Sequence, residues 1–300
     1  MIYWGTDLHL EWIGKDNFRK LCKQWPINKK DILFITGDIS NYSVDNNFID
    51  YLKIMINILN IPIYFVLGNH DFWGGRIGSI IANTIENISN KNNDSKISKE
   101  MGFNKDEHLD IGSSLLHYLD NEEYINISKY NRDTYIIGTS GWYDISAGAK
   151  ENTTVWLNDF DLITDFALAY YKPRLFESVK KIAARFNNEF DNKLNTFLNK
   201  HGDEHCKLFI LTHVPPYEDS AKYNMKPTDS NFLPLFTNIQ LGKIIDKLKD
   251  YPNIEVTVLC GHTHCYAHYQ PAKNIVVIAQ GAEYKYPKIE ELNIYPIRAK

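Results

Sequence analysis

Short apolar runs alternate with helix-patterned segments along the first third of the chain. Residues 2–7 (IYWGTD), 31–38 (DILFITGD) and 61–69 (IPIYFVLGN) are β-rich and end in small or turn-forming residues. Between them, apolar side chains fall at 18, 21, 22 and 25, and then at 44, 48, 49, 52, 55, 56 and 59. Spacings of three and four residues mark one face of a helix. The pattern predicts strand, helix, strand, helix, strand, with parallel strands joined by right-handed crossovers.

A helical pattern over 75–89 leads into SNKNNDSKISKEMGFNKDEH, residues 89–108, which is polar and reads as a mobile surface loop. EYINIS at 123–128 and DTYIIGTSGWYD at 133–144 resume the regular structure, and a long helical tract follows at 174–201. The stretch 145–205 reads as a mostly helical insertion within a single domain spanning 1–300. The rest predicts strands at 206–213 and 254–262, a helix at 238–250, a hairpin from CYAHY and NIVVIA, and a surface-hugging tail from 284 onward.

Composition narrows the class. Of the 300 residues 44% are hydrophobic and 23% charged, enough apolar material for a large core. A net charge of −4 gives no basic footprint, so nucleic acid is not the favoured partner. Cys22, Cys206, Cys260 and Cys265 show no C-x-x-C spacing and read as free thiols in a reducing compartment. No run approaches the roughly 18 apolar residues of a membrane span, and MIYWGTDLHL does not resemble a signal peptide. A cytoplasmic protein without membrane contact is the expectation; the oligomeric state is not readable.

The polar residues at the strand ends change the picture. Asp7 to Asp38 and Asp38 to Asn69 are both intervals of 31 residues, about one βαβ unit. Asp7 and His9, Asp38, Asn69 and His70, His213, and His262 and His264 each directly follow a predicted strand, at the carboxyl edge where open α/β sheets bind ligands. If the strand ends stay extended, Asp7 and His9 share a face, as do His262 and His264. Carboxylate, imidazole and amide oxygen donors suit Mn, Fe, Zn, Co or Ni. With two oxygens, Asp38 is the natural bridge between two such ions.

In order, D-x-H, G-D, G-N-H-D, H and G-H-x-H resemble the calcineurin-like metallophosphoesterase family, over most of the chain outside its middle. The resemblance implies a two-sheet α/β/β/α sandwich with a partly helical central insertion. It implies that Asp7, His9 and His264 hold one ion, that Asp38 bridges, and that Asn69, His213 and His262 hold the other. Two ions about 3.5–4 Å apart polarise a phosphoryl oxygen and acidify a bridging water, which as hydroxide attacks phosphorus in line. A phosphomonoester or phosphodiester, small molecule or nucleotide, is the expected substrate.

His70, beside a ligand but not needed as one, is the expected hydrogen-bond donor or general acid to the leaving alkoxide. Two positions depart from the phosphoprotein phosphatases of that family. Asn41 replaces an aspartate that supports the histidine there, and Trp73 replaces a phosphate-gripping arginine, with Arg76 no assured substitute. These departures argue against a phosphoprotein substrate.

Other residues carry weaker signals. Trp142 and Tyr143 offer a flat wall for substrate or ordinary packing beneath a loop. Asp71 either supports a ligand or satisfies its turn, and His268 reads as an ordinary strand residue. Cys260 and Cys265, flanking the H-x-H, read as outside the ligand set. The alternatives are a non-catalytic metal-binding scaffold of the same fold and a nuclease of the same superfamily, which would want a basic channel.

Overall fold

The computed structural model describes residues 1–42, 47–89, 115–130, 133–167 and 172–292. Apart from Ser89, the loop expected at 89–108 lies outside the described residues. The chain begins β1 (Ile2–Gly5), α1 (Gly14–Cys22), β2 (Ile32–Thr36), α2 (Phe48–Leu59), β3 (Ile63–Val66), α3 (Ile77–Ser89) and β4 (Leu116–Tyr118). Next come β5 (Ile125–Asn126), β6 (Thr134–Thr139), α4 (Asp159–Leu162), α5 (Thr164–Ala167) and the long α6 (Lys172–His201). After β7 (Cys206–Thr212) lie a small ribbon, β8 (Lys222–Tyr223) and β9 (Lys226–Pro227), and the helices α7 (Leu233–Phe236) and α8 (Ile239–Ile245). The final strands are β10 (Ile254–Cys260), β11 (Ala267–Ala272), β12 (Ile275–Ala279) and β13 (Glu290–Glu291).

Two sheets form, with strand orders β13-β1-β2-β3-β4 and β11-β12-β10-β7-β6-β5. Side-chain alternation in the strands decides what each face touches. Ile32 and Phe34 of β2 point between the sheets, where they join Trp4, Val66, Ile136, Phe209, Leu211 and Leu259. Phe34 meets Phe209 edge-on at 5.3 Å across that gap. Leu33 and Ile35, one residue out of phase, point the other way, into a core shared with α1, α2 and α3. Val256 and Val258 of β10 do the same on the second sheet, beneath α6 and α8. The architecture is therefore helix, sheet, sheet, helix. Each fully buried apolar side chain contributes roughly 1.5–3 kcal/mol.

Helix α6 bridges the outer layers, because Phe186 packs in the first helical core while Phe190, Leu194 and Phe197 pack in the second. The residues after 284 do more than follow the surface: β13 pairs antiparallel with β1, Tyr3 opposite Glu291, and gives that edge strand a neighbour. No helix among the described residues is long and apolar enough to cross a membrane.

Parallel register lines up the strand ends. Gly5 sits opposite Ile35, Thr36 opposite Val66, and Leu211 opposite Leu259. The loops that follow these strands therefore emerge together at one rim.

Candidate metal centre

The rim loops are tied to one another by backbone. Asp7 N–H donates to the Gly37 carbonyl at 3.0 Å, His9 N–H to that of Asp38 at 3.0 Å, and Gly261 N–H to that of His213 at 2.9 Å. Two glycines permit the close approach. A Cβ on Gly68 would overlap Asp38 Oδ1, and one on Gly261 would overlap the Asp7 carboxylate. The glycines of G-N-H and G-H-x-H are thus steric requirements of the neighbouring loop's acid.

The strands end before the donors. Asp7, His9, Asp38, His262 and His264 all have left-handed backbone, with φ of 48°, 42°, 49°, 68° and 52°. Extended alternation beyond β1 and β10 therefore does not bring Asp7 towards His9 or His262 towards His264, as the sequence pattern suggests. Left-handed turns at alternate residues do so instead. Each such residue costs roughly 1–3 kcal/mol and persists where the surroundings over-determine it. Here the acids supply that constraint: His262 N–H donates to both Asp7 oxygens at 3.0 and 3.1 Å, and His70 N–H to Asp38 Oδ1 at 2.9 Å.

Two half-sites meet at Asp38. In the first, Asp7, His9, Asp38 and His264 each present a donor atom, all within 4.8 Å of one another. His9 Nε2 lies 3.1 Å from His264 Nε2, and His264 Nε2 lies 3.4 Å from Asp7 Oδ1. In the second, Asn69 Oδ1 lies 3.0 Å from His213 Nε2 and 2.9 Å from His262 Nδ1. Asp38 Oδ2 faces both halves, 3.7 Å from His9 Nε2 and 3.4 Å from His213 Nε2. The seven residues named from the sequence thus lie together at one rim, Asp7, His9 and His264 to one side of Asp38 and Asn69, His213 and His262 to the other.

The donor chemistry fits a cation. Asn69 Nδ2 donates to Asp159 Oδ1 at 2.9 Å, so its oxygen must face the site. His262 Nε2–H donates to the Leu235 carbonyl at 2.9 Å, which leaves Nδ1 with a lone pair. Burial, reinforced by neighbouring His213, pushes His262 down to about 4, so Nδ1 is not protonated at neutral pH. Two acceptors therefore oppose each other at 2.9 Å with no hydrogen between them. His213 is oriented likewise, its Nδ1–H donating to the Thr36 carbonyl at 2.8 Å. Burial disfavours its cation, but the Asp38 carboxylate outweighs burial and lifts it to about 10. Burial also opposes ionisation of Asp7, yet His264 draws it down to about 2. Anionic carboxylates, the His262 Nδ1 lone pair and the Asn69 oxygen make a cation trap.

The remaining residues named from the sequence divide. His70 borders the site with Nε2 3.9 Å from Asp38 Oδ2, its ring stacked on Trp73 at 3.5 Å. Asn41 Oδ1 and His70 Nδ1 are both buried without a hydrogen-bond partner, so no hydrogen bond joins them. Asp71 accepts from the N–H groups of Ser40 at 3.0 Å and Gly68 at 2.8 Å, which clamps two rim loops and satisfies the turn. Trp142 and Tyr143 are 2% and 0% exposed and pack inside the first core, so neither presents a wall to a ligand. Their place beneath the rim, with Tyr143 hydroxyl donating to Asp159 at 2.9 Å, accounts for the burial. Cys260 donates weakly to the Ile278 carbonyl and Cys265 contacts Met225; neither thiol joins the donor set. His268 is an exposed residue of β11, and Arg76 is exposed.

Three participants escape the sequence motifs. Asp159, on α4, receives Asn69, Trp73 at 2.7 Å and Tyr143. Its helix and the start of α5 are pinned to the loop after His70 by Gly74 N–H to the Leu162 carbonyl at 2.9 Å and Thr164 N–H to the Gly75 carbonyl at 3.0 Å. Glu11 lies with Oε1 3.5 Å from His9 Nδ1, and a donor atom of each of His9, Glu11 and His70 falls within one 4.8 Å group. Its only sequence signal is the extension of D-L-H to D-L-H-L-E. Tyr284, from the supposed tail, sets its ring 4.6 Å from that of His9 and 4.9 Å from that of His264. A cavity of about 500 Å³ opens over the centre, and among the described residues no lysine or arginine lines it.

This fold and this site define a class. Residues 2–266 match the calcineurin-like phosphoesterase family, and the chain belongs to that family. Among solved structures it resembles a phosphopantetheinyl hydrolase from Mycobacterium tuberculosis, at 15% identity and a TM-score of 0.55 over 98% of both chains. It also resembles a dimetal phosphatase from Danio rerio, at 11% identity and a TM-score of 0.53, covering 93% of this chain and 87% of the other. No curated protein matches the chain.

Proposed function

We propose that this protein is a dinuclear metal-dependent hydrolase of phosphomonoesters or phosphodiesters. The observation that carries the reading is the opposition of Asn69 Oδ1 and His262 Nδ1 at 2.9 Å, beside a carboxylate that faces a second set of donors. Asp7, His9, Asp38 and His264 would hold one divalent transition-metal ion, and Asp38, Asn69, His213 and His262 the other. Ions of that class supply Lewis acidity to a phosphoryl oxygen and lower the pKa of water.

The chain's own residues arrange the rest. In hydrolysis one bond forms from the water oxygen to phosphorus, and the phosphorus–oxygen bond to the leaving group breaks with its electron pair departing on oxygen. That oxygen needs a hydrogen bond or a proton. His70 would supply the hydrogen bond: burial pushes the imidazole down to about 3 against the pull of Asp38, so the ring is neutral and carries one N–H to donate, and the proton itself would come from water. Stacking on Trp73 fixes the ring plane. Glu11 Oε1 lies 3.5 Å from His9 Nδ1 without a hydrogen bond between them, where a negative charge would favour a proton on Nδ1 and leave Nε2 free inside the site. Asp159 does the corresponding work for Asn69.

Among the described residues no lysine or arginine lines the cavity, which supports a small substrate over a nucleic-acid backbone. The fold shared with the phosphopantetheinyl hydrolase does not carry that protein's substrate across at 15% identity. The test is metal analysis of the purified protein, with turnover of model phosphomonoesters, phosphodiesters and nucleotides under Mn, Ni, Zn and Mg. Bound metal and turnover that Asp38→Ala and His70→Ala abolish are expected. No bound metal, and no turnover above those variants, would sink the reading.

A further inference from the structure

Beside the metal centre lies a second, larger cavity of about 890 Å³. It reaches the centre at Asp7 and His264 and shares Trp12 and His264 with the smaller cavity over the site. Its walls concentrate exposed apolar side chains. Trp12, Met225, Tyr266 and Tyr286 are 53%, 72%, 52% and 69% exposed and all line this one cavity. Single exposed apolar residues need no explanation, whereas a contiguous set around one concavity marks a ligand surface. The volume is within the range of small-molecule sites and far exceeds what a phosphoryl group fills.

The chemistry of the walls favours planar ligands. Trp12, Tyr266 and Tyr286 offer ring faces, which stack on any π-system with little entropy lost. Lys285 holds its ammonium 5.4 Å over the Trp12 ring, so a cation sits at the rim, and Glu283 adds a hydrogen-bond acceptor. The cavity over the metal centre is also lined by aromatic residues, Trp73, Tyr223, Phe236 and Tyr284, so the two cavities form one aromatic-walled surface that meets at Trp12 and His264.

We infer that this second cavity is a leaving-group subsite, and that the substrate is a phosphoester whose leaving group carries a planar aromatic ring system of nucleobase size. With phosphorus at Asp38, the leaving group passes His264 and Trp12 and lays its ring among Trp12, Tyr266 and Tyr286. The inference rests on the phosphoesterase reading, but it can fail without it.

Adenosine 5′-monophosphate and ribose 5-phosphate present the same reacting group with and without the ring. On the Mn-loaded protein, kcat/KM is expected to be at least about tenfold higher for the nucleotide, mostly through KM. The double variant Tyr266→Ala/Tyr286→Ala is expected to shrink that ratio by about tenfold. Adenosine alone, titrated onto metal-free protein by calorimetry, should bind the parent and a Trp156→Ala control, and should bind the double variant about tenfold more weakly. Equal turnover of the two esters with no adenosine binding overturns the subsite and leaves the phosphoesterase intact. Adenosine binding with no turnover of either ester or of any model phosphodiester overturns the phosphoesterase reading and the leaving-group role with it. Binding that the tyrosine variants do not weaken places the ligand elsewhere and overturns the subsite.

Discussion

Asn69 Oδ1 faces His262 Nδ1 at 2.9 Å, and neither atom has a hydrogen to offer the other. The amide nitrogen of Asn69 is committed to Asp159 and the ring N–H of His262 to the Leu235 carbonyl. Two residues 193 apart in sequence are therefore each held by a third party in an orientation that suits a cation between them.

Asp159 is the first place to test this. Asp159→Ala frees the Asn69 amide to rotate and present its nitrogen to the site. Affinity at the second half-site is expected to fall about 10–100-fold while the first half-site is retained. Calorimetric titration with Mn, showing loss of one of two binding events, checks it; two unchanged events would refute the role.

Glu11 gives a parallel expectation on the other half. Glu11→Ala removes the carboxylate beside His9 Nδ1, and metal affinity of the first half-site is expected to drop roughly 10–100-fold. Glu11→Gln keeps an acceptor and should lose less. If both substitutions leave the titration untouched, Glu11 does not orient His9.

Gly68→Ala examines the steric demand of the rim. The added methyl overlaps Asp38 Oδ1 and the Asp38 backbone nitrogen, so the loops must part. Destabilisation of roughly 1–3 kcal/mol is expected, together with weakened metal binding. Chemical denaturation gives the first quantity, and a midpoint equal to the parent's would contradict the tight approach.

Metal removal should loosen the rim without unfolding the protein, because the three large cores are apolar and independent of the donors. At a hundredfold excess over Kd, each ion is expected to add about 2.7 kcal/mol of stability. Thermal unfolding with and without chelator reads this, and Asp38→Ala should abolish most of the difference.

Much of this was legible in the chain. The helix–strand alternation of the first third and the polar residues behind each strand placed the donors at one rim, because parallel register aligns strand ends whatever the side chains. The extended alternation suggested for D-x-H and H-x-H is not what joins those residues, because left-handed turns at Asp7, His9, His262 and His264 depend on acids and glycines from loops distant in sequence. Asp159 and Tyr284 carry no motif, since each reaches the site through tertiary packing. For Trp142 and Tyr143 the pattern favours packing over a substrate wall only slightly, and it is their burial in the folded chain that separates the two.

The central claim is that two cations share Asp38. Anomalous diffraction from crystals soaked in Mn measures this directly. Two peaks are expected, one on each side of the Asp38 carboxylate and about 3.5–4 Å apart. A single peak, or none, at full solvent access to the cavity would contradict the account.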